Sequence, residues 1–317
     1  MDKYVILQIE GGIGKNVMAT AVVRAISKAH PDRKIIIVTA YPDIWLCNPK
    51  THRVFQFGQI SYFYQDYIEN RDTLVFIQEP YRHTDYIYRR KHLTQVWCEM
   101  CGVKWDGAIP ELYFTQLEAD FVGSMVNKEK PIFLINAFGG AAMQNHKYSW
   151  ARDIPPALAQ EIVDEMNKNY KVIQVRRDDQ IALNNAESVS LSIRQLALLL
   201  LSTERRLLID SYLQHAAAAL GLSSTVLWSC NSPVVFGYGM HKNISSSFNV
   251  GSLRNSMFDP FDIMGDPAQI VTPPSIIFDK AQILNSLEIV EYVPTPPTVN
   301  IVEDSEANLE SVEGPAV

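Results

Sequence analysis

The sequence predicts an α/β fold in which two doubly wound domains with parallel sheets follow one another and a disordered acidic tail ends the chain. Short β-branched apolar runs alternate with longer segments of helical spacing, which is typical of strands joined by crossover helices. The alternation stops at VNKEKP, residues 126–131, and then starts again. We therefore expect one domain over residues 1–128, a second over 129–290 and the tail over 291–317, because both blocks have common domain sizes.

In the first domain, the predicted strands are the apolar runs YVILQI, KIIIVTA, RVFQF and TLVFIQ. The segment VMATAVVRAISKAH repeats apolar residues at helical spacing and stops before Pro31, so it predicts a helix between the first two strands. A second helix is expected over DYIYRRKHLTQVWCEMCG. The stretch IPELYF is expected to form a short extended link.

A Cys-x-x-Cys pair, Cys98 and Cys101, lies at the end of this second predicted helix. Free cysteines pack as small apolar residues, and Gly102 directly after them is typical of a helix end. A metal site would need two further ligands, and the sequence contains no second Cys-x-x-Cys. We therefore favour a buried helix over metal or redox chemistry at this point.

The second domain repeats the order of elements with a different sequence. The predicted strands are PIFLI, KVIQV, RLLID and STVLWS. The predicted helices are PPALAQEIVDEMNKNY, SIRQLALLLLSTE and YLQHAAAALG. Proline in the first turn of the first helix and Ser192 at the start of the second are typical helix beginnings, and Gly221 closes the third.

Charge is spread unevenly along the chain, whose net charge is -7. The tail contains no Lys or Arg and is rich in proline, which predicts disorder. Its six acidic residues are Glu291, Glu303, Asp304, Glu306, Glu310 and Glu313. Without them the chain has 28 basic and 29 acidic residues, so nothing resembles the strongly basic face of a general nucleic-acid binder.

Composition also bears on where the protein is expected to work. No apolar run approaches the roughly 18 residues that a membrane helix needs, and MDKYVILQIEGG is too short in its apolar part for a secretory signal. The four cysteines are irregularly spaced, which fits a reducing compartment better than a disulfide framework. We therefore expect a cytoplasmic protein without a membrane span.

The turn after the first predicted strand, GGIGKN, is a candidate anion site. Doubly wound sheets bind ligands at the carboxyl ends of their strands, where loops lead into helices. Gly11, Gly12 and Gly14 let backbone amides approach an anion, and Lys15, followed by Asn16, adds a cation. The turn is neither G-x-G-x-x-G nor a P-loop, so a tight turn without a ligand explains the glycines equally well.

Loops of the second domain contribute Lys147 and Arg176 at the same edge, together with the stretch IDSYLQHAAAALG. In that stretch Asp210 ends a strand, Ser211 begins a helix, and His215 lies four residues later, close to one helix face. A helix amino terminus and an imidazole together suit a diphosphate. The alternative is an Asp/Ser helix cap with a packed histidine.

These residues resemble the heptosyltransferase-type glycosyltransferases of family 9. That family carries Asp-Ser-Gly-x-x-His-x-Ala-x-Ala-x-Gly after an apolar strand, and IDSYLQHAAAALG matches it except for Tyr212 at the glycine. HKYSWARDIP is similar to the family's Lys near a Trp, here Lys147 and Trp150. GGIGKN resembles the family's opening Gly-Asp-x-x-x-x-Thr turn. The resemblance spans roughly residues 3–240.

The resemblance implies a GT-B architecture, in which two Rossmann-like domains face each other across a cleft. The first would bind the acceptor and the second the nucleotide-sugar donor. Such enzymes usually need no metal or other cofactor, because positive groups and helix dipoles neutralise the leaving diphosphate. Residue by residue, it implies that Asp210, Ser211 and His215 hold the donor diphosphate, assisted by Lys147. Arg176, from its place in a loop at the same edge, is a further candidate for the donor site.

One departure concerns the catalytic base. The family has an aspartate in its first turn, where this chain has Lys15. A lysine deprotonates an acceptor hydroxyl only if its pKa is strongly lowered. Three explanations stay open. Glu10 or Glu79, each at a strand end, is the base; or Lys15 binds phosphate or an anionic acceptor; or transferase activity has been lost.

Together these observations predict transfer of a sugar from a nucleoside-diphosphate sugar to an acceptor hydroxyl. The resemblance implies inversion and independence of metal. The acceptor is expected to be a glycan, a lipid-linked sugar, a protein or a modified nucleic-acid base. Two alternatives remain: a nucleotide-sugar-binding protein without catalysis, and a sugar-nucleotide epimerase of the same architecture.

Overall fold

The computed structural model describes residues 2–125, 129–139, 152–246, 278–288 and 300–302. The strands are β1 (Lys3–Ile9), β2 (Lys34–Thr39), β3 (Arg53–Gln56), β4 (Asp72–Phe76), β5 (Tyr113–Thr115), β6 (Ile132–Ile135), β7 (Lys171–Val175), β8 (Glu187–Val189), β9 (Arg205–Ile209), β10 (Thr225–Trp228), β11 (Lys242–Ser245) and β12 (Asn300–Val302). The helices are α1 (Ile13–Ala29), α2 (Phe63–Tyr67), α3 (Thr84–Ile87), α4 (Leu93–Met100), α5 (Gln116–Met125), α6 (Pro156–Met166), α7 (Ile193–Leu199), α8 (Tyr212–Ala219), α9 (Pro233–Phe236) and α10 (Lys280–Glu288).

The amino-terminal strands form a parallel sheet in the order β3-β2-β1-β4. Strands β1 and β2 are buried on both faces over most of their length, as their continuous apolar runs predict. Val5 lies opposite Ile35 on one side and Leu74 on the other. The strand order reverses between β1 and β4, so the loops that follow these two strands flank a crevice.

The second sheet contains six parallel strands in the order β11-β10-β9-β6-β7-β8. Counted from β6, this is the 3-2-1-4-5-6 order of a Rossmann sheet, with its switch point between β6 and β9. The predicted α/β class with parallel sheets is therefore confirmed. The division into domains at residues 128 and 290 stays a prediction.

Helices α1 and α8 pack against each other and join the two sheets. A β-carbon on Gly14 would lie 2.9 Å from Cδ2 of His215, so only glycine lets the first turns of these helices approach so closely. The small face of α8 is fully buried at Ala216. Leu7 of the first sheet and Leu208 of the second belong to one hydrophobic core with these helices.

Arg194 of α7 makes a second link between these parts of the chain. Its guanidinium pairs with both carboxylate oxygens of Glu118 in α5, at 2.6 and 2.7 Å. It also donates to the carbonyl oxygens of Asp43 and Tyr113 at 3.0 and 2.8 Å. Because four bonds converge on one buried guanidinium, α7 is held firmly against the loop after β2 and the strand β5.

The helix expected over residues 85–102 is broken, which corrects the prediction. Arg89 takes a left-handed conformation, with φ of 54°, and the ring of His92 accepts a hydrogen bond from the amide of Thr94 at 3.3 Å to begin α4 anew. The prediction for its end is confirmed. Gly102 has φ of 68° after α4, and both neighbouring cysteines are buried free thiols.

The predicted disorder of the tail is wrong for residues 300–302. These residues form β12, which pairs in parallel with β5, and Asn300 donates from its side chain to the carbonyl of Leu112 at 3.2 Å. The reason is that the β-branched pair Ile301 and Val302 suits an exposed strand edge. The other residues of the predicted tail lie outside the described residues.

Candidate functional site

A cavity of about 670 Å³ opens where the carboxyl ends of the two sheets meet. From the first sheet it is lined by the turn after β1 and the loops after β2 and β4, including Gly12, Gly14, Lys15, Tyr41, Tyr81 and Tyr86. From the second it is lined by loops after β6, β7, β9 and β10, including Arg152, Arg177, Asp210, Ser211, His215 and Asn231. The cavity therefore covers both switch points, where doubly wound sheets bind ligands.

The glycine-rich turn sits at the wall of this cavity. Gly11 has φ of 96°, a conformation that favours glycine, and Gly12 directly precedes α1. Asn16 is fully buried beneath the turn: its side-chain nitrogen donates to the carbonyl of Gly12 at 3.2 Å, and its oxygen accepts from the indole of Trp45 at 3.3 Å. Asn16 therefore shapes the turn and does not face a ligand.

Lys15 and Glu79 bind each other. Lys15 Nζ lies 2.6 Å from Oε2 of Glu79, with side-chain exposures of 2% and 25%. The ammonium also lies 4.9 Å from the ring centre of Tyr81 and 5.1 Å from that of Trp97. Burial lowers the pKa of Lys15, and the bond to Glu79 opposes that change. The positive charge at this corner is thus already neutralised within the first sheet.

The remaining carboxylate predicted at the first sheet, Glu10, is exposed and accepts a hydrogen bond from Gln8 at 3.0 Å. It does not line the cavity. Glu79, besides pairing with Lys15, accepts the amide hydrogen of Tyr81 with its other oxygen at 3.1 Å. Both oxygens of Glu79 are therefore engaged in holding the loop after β4.

Ser211 connects the two loops at the second switch point. Its hydroxyl donates to the side-chain oxygen of Asn136 at 2.6 Å, and Asn136 follows β6. Ser211 precedes α8 but its side chain makes no capping hydrogen bond. The cap interpretation is therefore wrong for Ser211, whose side chain leaves the first amides of α8 uncapped. Ser211 and Tyr212, at the start of this helix, line the cavity.

Asp210 directly follows β9 and is buried at the cavity wall. One of its oxygens, Oδ2, accepts a hydrogen bond from the side-chain nitrogen of Asn231. Burial raises the pKa of this carboxyl group, while the nearby charge of Arg152 and the bond from Asn231 act in the opposite direction. Asp210 is accordingly a stronger base than an exposed aspartate.

His215 lines the cavity as a neutral ring. Its Nδ1 lies 2.8 Å from the hydroxyl of Tyr238. Burial is the main cause that lowers its pKa to about 3, and the neighbouring rings of His92 and His241 act in the same direction. Any contact of His215 with an anion near neutral pH is therefore a neutral hydrogen bond and not an ion pair.

Two arginines that sequence reasoning did not select line the cavity, Arg152 and Arg177. Arg177 pairs with Asp179 at 3.0 Å, whereas no acidic side chain of the described residues lies within 4.0 Å of the Arg152 guanidinium. The signal for Arg152 was its place in SWARDIP, just before a helix that begins with proline. The predicted Lys147, with Trp150, lies outside the described residues.

Arg176, the predicted donor contact, does not line the cavity. Its side chain donates to the hydroxyl of Ser188 at 2.9 Å and to the carbonyl of Arg177 at 2.9 Å. Both arginines belong to the loop after β7, and it is Arg177 that lines the cavity. Arg176 instead holds the loop after β7 in shape.

An aromatic group closes one side of the cavity. The rings of Tyr81 and Tyr86 lie 4.9 Å apart, and that of Phe236 lies 6.2 and 5.9 Å from them. The first two come from the loop after β4 and the third from α9, so the group spans both sheets. Arg152, Arg177 and the start of α8 line the same cavity. The cavity therefore combines cationic groups, which suit an anion, with aromatic rings, which suit the apolar face of another ring.

Two features are absent from the part of the chain that the structure describes. Within it, no group of three or more His, Cys, Asp or Glu side chains is placed to hold a metal ion. None of its helices has the length and apolar character that crossing a membrane requires.

Known proteins resemble this chain more clearly in structure than in sequence. The sequence matches no protein-family model and no curated protein significantly. Solved structures do match. The family 9 glycosyl transferase of Veillonella parvula DSM 2008 has a TM-score of 0.61 at 10% identity, over 91% of this chain and 97% of that one.

Two structures from Escherichia coli agree with it. The ADP-heptose LPS heptosyltransferase II has a TM-score of 0.59 at 11% identity, over 83% of this chain and 97% of that one. The iron-containing dodecameric glycosyltransferase TibC has a TM-score of 0.63 at 15% identity, over 90% of this chain and 76% of that one. The chain therefore has the fold of the family 9 glycosyltransferases, the family that its sequence resembles.

Proposed function

We propose that this protein transfers a sugar from a nucleoside-diphosphate sugar to an acceptor hydroxyl, with inversion and without a metal. The observation that carries the proposal is the cavity at both switch points, which is lined by two arginines, the start of a helix and aromatic rings. Its fold neighbours include enzymes whose names refer to ADP-heptose, so an ADP-linked sugar is the first donor to try.

The donor diphosphate, in this proposal, lies against the start of α8 beside Arg152 and Arg177. Helix amides and guanidinium groups attract a diphosphate and stabilise the charge that develops as it leaves. The backbone amide of Ser211 and the neutral ring of His215 add hydrogen bonds. A carboxylate repels a diphosphate, so we do not assign Asp210 to the phosphate contacts.

The acceptor, in this proposal, lies against the first sheet. The side chains that the first sheet presents there are mostly uncharged, among them Tyr41, Tyr81 and Tyr86, and the one cation, Lys15, is neutralised by Glu79. Aromatic faces bind the apolar faces of rings. We therefore expect an uncharged, ring-containing acceptor and not an anionic one, whether it is a glycan, a sugar on a lipid, a glycosylated protein or a modified base.

A thermal-shift screen against ADP, UDP, GDP and their sugars tests the donor half of the proposal. Saturation at about 100 times the dissociation constant stabilises the folded state by about 2.7 kcal/mol, so we expect a clear rise in Tm for one nucleotide. Arg152→Ala should lose most of that rise. Arg71→Ala is the matched control, since Arg71 is exposed at the opposite end of the first sheet.

A wild-type protein that is folded but is not stabilised by any nucleotide or nucleotide sugar would refute the donor proposal. An equal response of the Arg152 and Arg71 variants would move the nucleotide away from this cavity. To test the transfer step, the protein is incubated with the donor that the screen identifies and with neutral and anionic acceptors. The products are then identified by mass spectrometry.

A binding protein without catalysis is the second candidate, because Lys15 replaces the aspartate that the family resemblance implies and Glu79 is engaged with it. This candidate predicts nucleotide-sugar binding with neither transfer nor slow hydrolysis of the donor. The same incubation, with water as the only acceptor, separates the two candidates.

A further inference from the structure

We propose that Asp210 is the general base of the transfer reaction and accepts the proton of an acceptor hydroxyl held against Tyr81 and Tyr86. The inference rests on the proposed sugar transfer. It places the base on the second sheet, whereas the sequence points to Glu10 or Glu79 on the first and to a diphosphate contact for Asp210.

The other two carboxylates are poorly placed for this role. Glu10 is exposed and does not line the cavity. Glu79 has one oxygen 2.6 Å from Lys15 and the other 3.1 Å from the amide of Tyr81. A general base must bring a free oxygen within reach of the proton that it removes, and neither oxygen of Glu79 is free.

Asp210 meets both requirements. Among the described residues that line the cavity, it is the one carboxylate. Within the described part of the chain it makes a single hydrogen bond, from Asn231 to Oδ2, which leaves Oδ1 for a substrate. Burial raises the pKa of Asp210, although Arg152 and Asn231 oppose this, so its carboxylate holds a proton more strongly than an exposed one.

The position of Asp210 relative to the aromatic wall also fits. Burial is the largest cause that raises the pKa of Tyr86 to about 12, and the negative charge of Asp210 is the next. The same charge contributes to raising the pKa of Tyr81 and of Tyr238. Asp210, Tyr81 and Tyr86 line the same cavity, so the carboxylate lies near the rings that are proposed to hold the acceptor.

The step balances without a further reactant. The acceptor oxygen forms a bond to C1 of the donor sugar as its proton passes to Asp210. The bond between C1 and the diphosphate oxygen breaks, and its electron pair leaves with the nucleoside diphosphate. Arg152 and the amides of α8 stabilise that charge, and the proton leaves Asp210 to solvent after product release.

The isosteric variant Asp210→Asn tests the proposal, with ADP binding measured by titration calorimetry and donor turnover measured with the nucleotide sugar that stabilises wild type. We expect turnover to fall by about 100-fold or more. Binding of ADP should stay equal or become tighter, because a negative charge beside the anion has been removed. Asp66→Asn, an exposed carboxylate on α2, is the control and should turn over donor like wild type.

Three results would overturn the proposal. One is turnover by Asp210→Asn within about threefold of wild type. Another is weaker ADP binding by that variant, which would make Asp210 a donor contact as the sequence predicts. The third is a comparable loss of turnover in Glu10→Gln alone. If the wild-type protein binds ADP-sugars but does not turn them over, both the general-base assignment and the proposed transfer are wrong. The proposed donor binding would still hold.

The pH dependence of wild type gives a second measurement that does not depend on how Asp210→Asn folds. Turnover should fall at low pH as Asp210 becomes protonated. Because the bond from Asn231 lowers the pKa of Asp210, Asn231→Ala should move this fall to higher pH. At low pH the tyrosines that face Asp210 stay protonated and Arg152 stays charged, so none of them causes the fall in turnover. A pH profile that Asn231→Ala leaves unchanged would contradict the assignment.

Discussion

Gly14 shows how a single residue positions the site. It belongs to α1, and its α-carbon faces His215 of α8 so closely that a β-carbon would lie 2.9 Å from Cδ2 and 3.2 Å from Nε2 of that ring. Gly12, two residues earlier, has no neighbouring atom within 4 Å of the same position. The two glycines therefore serve different purposes, although the sequence presents them as one glycine-rich turn.

Alanine substitutions at Gly14 and Gly12 should change the free energy of unfolding by different amounts. Gly14→Ala should lower the free energy of unfolding by about 1–3 kcal/mol, because His215 is buried and the added carbon forces α1 and α8 apart. Gly12→Ala should cost less, about 0.5 kcal/mol, because its β-carbon meets no atom and only the poorer capping of alanine remains. Urea denaturation of the two variants measures the difference. Equal losses would show that the helices do not meet at Gly14.

Three histidines around Tyr238 make stability depend on pH. Burial is the main cause that lowers the pKa of His92 to about 4, of His215 to about 3 and of His241 to about 4, against about 6.5 in the unfolded chain. Below pH 6.5 the unfolded state therefore binds protons that the folded state does not. Stability should fall as pH drops toward 4, by up to about 1.4 kcal/mol per pH unit for each ring.

Urea denaturation at several pH values between 7.5 and 4.5 measures this slope. In His241→Gln the slope should be smaller, since one ring no longer contributes. A free energy of unfolding that does not change between pH 7.5 and 5 would contradict the burial of these rings.

At the residue scale, the sequence predicted the neighbourhood of the site better than its contacts. Asp210, Ser211 and His215 meet at the cavity, as their spacing predicts. The choice between Arg176 and Arg177 depends on which side of a strand end a residue faces, and no periodic pattern reports that beyond the strand. The pairing of Lys15 with Glu79 joins residues 64 positions apart, which no local pattern contains.

Elements with a clear hydrophobic pattern were predicted correctly from the sequence. The break in a helix that depends on a tertiary contact was not. The apolar runs of β1, β2, β7 and β9 predicted buried parallel strands directly. The break between α3 and α4 depends on the left-handed Arg89, whose guanidinium donates to the carbonyl of Cys230 at 2.9 Å. That contact comes from the second sheet, so the segment alone predicts one continuous helix.

Strand β12 carries a prediction of its own. A chain that ends after residue 299 loses its pairing with β5, while a chain that ends after residue 302 keeps it. We expect the shorter chain to unfold at a lower Tm, because Tyr113 and Phe114 of β5 then lose their partner strand. Differential scanning calorimetry of the two chains tests this. Equal Tm values would show that the pairing contributes nothing to stability.

For the molecule as a whole, the strand orders explain why one cavity collects residues from so many loops. Both sheets reverse their order next to their first strand, β1 in one and β6 in the other. The packing of α1 on α8 brings these two points together in a shared core. The sequence predicted the alternation of strands and helices, but the strand order and the meeting of the two points follow from long-range pairing.

In the proposed function, a donor diphosphate lies between the start of α8 and Arg152. A crystal structure of the protein with ADP, or with the nucleotide that gives the largest thermal shift, would locate it. We expect phosphate oxygens within hydrogen-bond distance of the Arg152 guanidinium and of the Ser211 or Tyr212 amides. A nucleotide bound elsewhere, with this cavity filled by solvent, would contradict it.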